Sequence, residues 1–253
     1  RLNAGTADVE LQASGDVLDT DSAADIIAAS ATVTIDTAGD FGTSSDSINT
    51  NVDELAVDTS TGNGDQIIDE ANGLIGLDLD AGTGNVTLIA SGAVADGDVF
   101  VDIEGTTVSV TLDSAGDFGA LGGLIDTTAT NLTVTTVNSA IFVDETDGLD
   151  SLNLNAGTAN VTLEASGGVG DTDGAADITG STANVTLSSG AFGTTANAIG
   201  TTVTNLNVTT GDEDQFIDET DGLSSLNLNA GTGDIDLTTG GSISDTDGDE
   251  DLT

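Results

Sequence analysis

Apolar and polar residues alternate in short runs along the whole chain, and the runs are separated by Gly, Asn, Asp and Ser. In "LNLNAG" Leu152 and Leu154 fall on one side and the asparagines on the other, and in "ANVTLEASG" Val161 and Leu163 do the same. A period of two marks a half-buried strand. The pattern continues through Ile178, Val185 and Leu187, Phe192 and Ile199, Val203, Leu206 and Val208, and Phe216 with Leu223. No stretch sustains a helical period, so the chain is expected to be almost entirely β.

The runs themselves recur. "AGT" begins at Ala4, Ala81, Ala156 and Ala230, in steps of 77, 75 and 74 residues, which sets long repeats at approximately 1–74, 75–149, 150–223 and a partial 224–253. Within the third, "TANVTL" begins at Thr158 and again at Thr182, 24 residues on. A period of about 75 thus contains one of about 25. Three strands and three corners fill about 25 residues, one coil of a parallel β-helix, with three coils per long repeat. Thr, Val and Ile suit the pleated surface, and glycine suits the corners. Roughly ten coils at about 4.8 Å give a rod of about 48 Å.

One coil buries about six aliphatic side chains at roughly 1.5–3 kcal/mol each, against about 1–2 kcal/mol of backbone entropy per ordered residue. It cannot fold alone. Stacking supplies the missing backbone pairing and covers the open faces, so each layer must fit the one beneath it. The expectation is a single continuous β-helix over 1–253, a fragment of something longer. The rival is a string of β-sandwich domains of about 75 residues, but sandwiches run nearer 100 and carry a large core aromatic.

Composition narrows the core and loads the surface. With Lys, Pro, Cys, Met, Trp and Tyr all absent and only six Phe, the filling must be Val, Ile, Leu and Ala. No disulfide and no thiolate metal site is available. Against 45 acidic residues stand Arg1 and no histidine, a formal charge of −44 on a chain that is 37% hydrophobic, too apolar for a disordered acidic tail. Forty-four charges over about 48 Å exceed the linear density of duplex DNA, one per roughly 1.7 Å, so counterions must condense on the rod. Nucleic acid and anionic lipid are disfavoured as partners by sign. No apolar run approaches the roughly 20 residues that span a bilayer, so membrane insertion is not expected.

The words "AGTGNVTLIASGAV" (81–94), "AGTANVTLEASGGV" (156–169) and "AGTGDIDLTTGGSISDTDG" (230–248) resemble the repeats of filamentous-haemagglutinin-like proteins, long secreted bacterial adhesins. The resemblance covers the whole chain and is one of repeat style. It implies a right-handed β-helical shaft at the cell surface, working in adhesion or surface structure. Partners would then be further repeats of a longer chain, or other copies stacked end to end as a filament.

Counting from the alanine of each "AGT", an aspartate stands at +15, +17 and +21 in all four copies. These are Asp19, Asp21 and Asp25; Asp96, Asp98 and Asp102; Asp171, Asp173 and Asp177; and Asp245, Asp247 and Asp251. Position +12 drifts meanwhile through Asp16, Ala93, Gly168 and Ser242. Alternate aspartates on a turn offer several of the six to eight oxygens that Ca²⁺ takes. The same residues serve equally as corner caps that accept local backbone amides. The spacing is not that of an EF-hand, and Thr172 stands where the nonapeptide calcium β-roll needs aspartate.

A second acidic cluster, "IDEANGL", "VDETDGL" and "IDETDGL", places Asp69, Asp144 and Asp218 as expected corner formers. Five N-x-S/T sequons, at Asn85, Asn131, Asn160, Asn184 and Asn207, follow from alternation in a Thr-rich strand as readily as from glycosylation. Catalysis is not expected. Without His, Cys or Lys only carboxylate chemistry remains, and these acids recur evenly instead of converging on one place. The expected function is a non-catalytic extracellular shaft or filament subunit. The alternatives are a calcium-binding surface-layer or sheath module, and a polysaccharide-degrading β-helix enzyme.

Overall fold

The structure, a computed structural model, describes residues 1–245 and 251–253. It is all-β: parallel strands stack as a β-solenoid of about 11 turns, roughly 22 residues apart, with no helix among the described residues. The chain divides into two compact units, Arg1–Ala129 and Thr130–Thr253.

The first unit holds β1 (Leu2–Asn3), β2 (Val9–Ala13), β3 (Ile26–Ile27), β4 (Ser30–Ile35), β5 (Ile48–Asn51), β6 (Glu54–Asp58), β7 (Gln66–Glu70), β8 (Gly76–Asp80), β9 (Asn85–Ala90) and β10 (Ile103–Leu112). Successive strands alternate between two parallel ladders. One runs β1, β3, β5, β7, β9 and the end of β10; the other runs β2, β4, β6, β8 and the start of β10. A coil therefore carries two strands, and its third side shrinks to isolated bridges such as Val17↔Phe41 and Leu74↔Val94.

The strand β11 (Ile125–Thr135) crosses the boundary, and the second unit continues with β12 (Ile141–Glu145), β13 (Ser151–Asn155), β14 (Val161–Ala165), β15 (Ile178–Thr179), β16 (Thr182–Leu187), β17 (Ile199–Thr202), β18 (Asn205–Thr210), β19 (Gln215–Glu219), β20 (Ser225–Asn229) and β21 (Ile235–Thr239). Its ladders are the end of β11 with β13, β15, β17, β19 and β21, and β12 with β14, β16, β18 and β20.

Register stacks like on like. Leu163, Val185, Val208 and Leu228 form one buried column in the second unit. Val33, Val57, Leu79 and Ile103 form another in the first, headed by half-buried Leu11. The remaining width at the coil edge is filled by Phe41, Phe118 and Phe192, at equivalent repeat positions and fully buried. After Phe192 the chain leaves the coil in a short excursion closed by Thr194 N–H on the carbonyl of Asn197. Gly193 opens it at φ +79, where an added Cβ would stand 2.5 Å from the carbonyl oxygen of Phe216.

The expected step of about 25 residues, three coils to a long repeat, is corrected by the register. Val161 lies beside Ala183 and Leu163 beside Val185, a step of 22, whereas the repeated word "TANVTL" recurs at 24. The two-residue difference leaves every side chain on the same face, so period-two alternation cannot tell these steps apart. The long repeat holds seven strands, β2 to β8, before β9 restates β2; at two strands per coil that is three and a half coils. Equivalent strands consequently change ladder from one repeat to the next, β2 against β9 in the first unit and β14 against β21 in the second.

Candidate functional site

The half-coil fixes where the recurrent aspartates lie. The turn holding Asp19, Asp21 and Asp25 leads from β2 to β3, and the turn holding Asp96, Asp98 and Asp102 leads from β9 to β10, in the opposite direction between ladders. The two turns therefore occupy opposite edges of the first unit.

Within each turn the three positions do the same work. The first aspartate accepts the backbone N–H two residues on: Asp21 N–H to Asp19 at 3.1 Å, Asp98 N–H to Asp96 at 2.9 Å, Asp173 N–H to Asp171 at 2.9 Å. The second repeats the motif, taking the N–H of Ala23 at 2.7 Å, Phe100 at 2.8 Å and Ala175 at 2.6 Å. The third reaches the next coil: Asn49 N–H donates to Asp25 at 3.1 Å, Asp126 N–H to Asp102 at 2.7 Å and Gly200 N–H to Asp177 at 2.7 Å. Two Asx turns and one link to the neighbouring layer explain why aspartate recurs at all three.

Burial separates the copies. Asp21 and Asp98 are exposed and Asp19 is half-buried, whereas Asp102, Asp171 and Asp177 are buried. Burial pushes Asp102 up to about 8, against the relief of the Asp126 N–H and with the help of the Asp96 charge. It pushes Asp177 up to about 7, with the Asp171 and Asp173 charges adding to it. Asp25 is raised for the same first reason. Among the described residues, Asp171, Asp173 and Asp177 form the one triad whose carboxylate oxygens all lie within 4.8 Å of one another. They offer three of the six to eight oxygens Ca²⁺ requires, leaving carbonyls or water to complete a shell. In the fourth copy Asp245 is exposed, Asp251 is half-buried with its carbonyl accepting Leu228 N–H, and Asp247 lies outside the described residues.

The second acidic cluster is arranged differently from the expectation. Asp69, Asp144 and Asp218 form no corners; they are outward residues inside β7, β12 and β19. The residues that matter there are their neighbours Glu70, Glu145 and Glu219, which occupy the inward parity and are fully buried. Glu70 accepts the Thr50 hydroxyl at 2.6 Å and the N–H groups of Val52 at 3.3 Å and Asn72 at 3.2 Å, and burial raises it above the usual carboxylate range. Alternation held this signal, because each Glu follows a buried Ile or Val by two. A further polar pair, Gln66 and Gln215, is also fully buried, each amide N–H₂ spanning carbonyls of two coils while its Oε1 has no hydrogen-bond partner.

The sequon asparagines face outward, as alternation requires, and Asn207 donates to Asn184 at 2.8 Å as one rung of an amide ladder. No protein-family model, no curated protein and no solved structure matches this chain.

Proposed function

We propose that the chain is a non-catalytic structural spacer, a segment of the shaft of a long extracellular surface adhesin or a subunit of a cell-surface filament. One observation carries the reading: the buried columns, the Asx turns and the buried Glu rungs recur at equivalent positions through the repeats, so the sequence specifies a layer and then specifies it again. Catalysis would favour a single irregular place, and here the acids are distributed by the repeat. The repeat style shared with filamentous-haemagglutinin-like shafts supports the same reading.

Electron microscopy of chains carrying two, three and four long repeats tests it. Each added repeat should lengthen the particle by about 17 Å, three and a half coils at about 4.8 Å each. Particles that grow as beads joined by hinges, or do not lengthen, overturn the shaft.

A second reading, a calcium-binding surface module, is favoured specifically by the Asp171, Asp173 and Asp177 triad. Calorimetric titration with Ca²⁺ distinguishes it: saturation near one ion per chain supports the module, and heat no greater than that of Na⁺ at equal ionic strength rejects it.

A further inference from the structure

The first unit carries exposed apolar side chains that the repeat does not require. Val99 is 84% exposed, Phe100 73%, Leu121 86% and Ile75 66%. At the position of Phe100 the first and third repeats carry Ala23 and Ala175, and at that of Val99 they carry Ser22 and Gly174. Leu121 replaces Ser44 and Thr195, and Ile75 replaces Asp150 and Ser224. The Asx turn itself does not depend on them, since the same hydrogen bond holds Ala23, Phe100 and Ala175.

These residues are neighbours. The turns containing Ile75, Val99 and Leu121 occupy consecutive coils on one edge, tied inside by the bridges Leu74↔Val94 and Val94↔Phe118. An added Cβ at Gly97 would lie 4.0 Å from the Ile75 carbonyl oxygen, and one at Gly123 3.4 Å from that of Asp96. Asp126 N–H donates to Asp102 between the second and third turns. Isolated exposed apolar residues need no explanation, but four converging from three turns in one repeat mark a contact surface.

Carboxylates border the patch on its Ile75 side. The Val99 turn forms one wall of a groove lined by Glu54, Asp78, Asp96 and Asp98, and the Asp98 charge is close enough to Asp78 to help raise it, after burial and the charges of Asp80 and Asp58. A second copy of a chain with a formal charge of −44 brings the same sign to this border, as do nucleic acid and anionic lipid. We propose that this patch docks a cationic amphipathic polypeptide segment, its apolar side chains against Phe100, Val99, Leu121 and Ile75 and its Lys or Arg groups against the bordering acids. Apolar anchor and charged rim are the usual division of labour in such a contact. The inference is independent of the shaft reading, because a patch on one edge works on a rod or on a bead.

Fluorescence anisotropy with labelled synthetic peptides tests it at physiological ionic strength. The wild-type chain should bind a peptide of Leu and Lys at least about tenfold more tightly than one in which Ser replaces Leu. The variant Val99→Ser, Phe100→Ala, Leu121→Thr should lose that preference and keep its thermal melt, because each new residue is one the other repeats already carry at that position. Equal binding of the two peptides to the wild type, or equal binding of the Leu and Lys peptide to wild type and variant, overturns the proposal. So does concentration-dependent self-association, or adsorption to phosphatidylcholine vesicles, that the variant abolishes.

Discussion

The hydroxyl of Thr201 donates to the carboxylate of Glu219 across 2.6 Å, inside a core filled mainly by aliphatic side chains. Glu219 also accepts the N–H groups of Val203 at 3.5 Å and Asp221 at 3.3 Å. Burial pushes it up to about 7, relieved by Thr201 and reinforced by its hydrogen bond with the Asp221 side chain, whose own carboxyl is held below the usual range. A chain with one basic residue has no cation to pair with such a group, so protonation is the available route to neutrality.

The sign of the pH dependence follows. With the folded value above the ordinary 4.5, the folded state binds more protons than the unfolded one between these limits. Its stabilising contribution is complete below about 4.5 and is lost as pH rises through about 7, at up to about 1.4 kcal/mol per pH unit for one group. Glu70, Asp102 and Asp177 act in the same direction. Thermal unfolding should therefore move to lower temperature as pH is raised from about 5 to about 8, and Glu219→Gln should flatten the profile. A midpoint that holds steady or climbs over this range contradicts the assignment.

Val185 stands between Leu163 and Val208 and is 2% exposed, while Thr186 beside it faces solvent. Val185→Asp should cost about 3–5 kcal/mol by leaving an uncompensated charge in the core. Thr186→Asp, one residue on and on the other face, should stay within about 0.5 kcal/mol. Denaturant melts of the two variants read this directly, and similar losses from both would mean that the alternation does not define the core.

The inward columns were legible in the sequence because a period of two survives any even change of step. For the same reason the step itself was not: 22 and 24 residues put Val185 on the same face, and only the partner, Leu163 or Val161, differs. The aspartate turns were legible as a recurrence at +15, +17 and +21, and their hydrogen bonds follow the ordinary habit of Asp beside a turn. Which triad draws together was not, since Asp173 and Asp98 sit in the same Asx turn, and Asp171 also accepts the N–H of Gly174, a glycine at φ +75 where the second copy has Val99. Glu70 and Glu219 were readable in principle, two residues beyond Ile68 and Ile217 on the buried parity. A glutamate pointing into an aliphatic core runs against the general rule that charges stay outside, which hid them behind Asp69 and Asp218.

Two glycines separate backbone conformation from space. Gly174 has φ +75 with nothing within 4 Å of an added Cβ, whereas Gly193 has φ +79 with the Phe216 carbonyl in the way. Gly174→Ala should cost about 1–2 kcal/mol, the left-handed penalty alone. Gly193→Ala should cost clearly more, because the excursion that closes over buried Phe192 must shift. Equal losses in urea melts would place the whole effect in φ.

The calcium reading makes the sharpest demand on the third triad. Any salt should stabilise a chain of this charge by screening, so the comparison that matters is millimolar Ca²⁺ against NaCl of equal ionic strength. Binding to the folded form alone raises stability by about 2.7 kcal/mol at a hundredfold excess over Kd. Asp173→Asn is the discriminating variant: its amide oxygen can still accept the Ala175 N–H, so the turn is kept while one anionic ligand is lost. If Ca²⁺ sits among Asp171, Asp173 and Asp177, the calcium-specific rise in melting temperature should shrink in Asp173→Asn while its melt in NaCl stays near that of the wild type. An unchanged calcium increment would leave these aspartates with the corner-capping role their hydrogen bonds already describe.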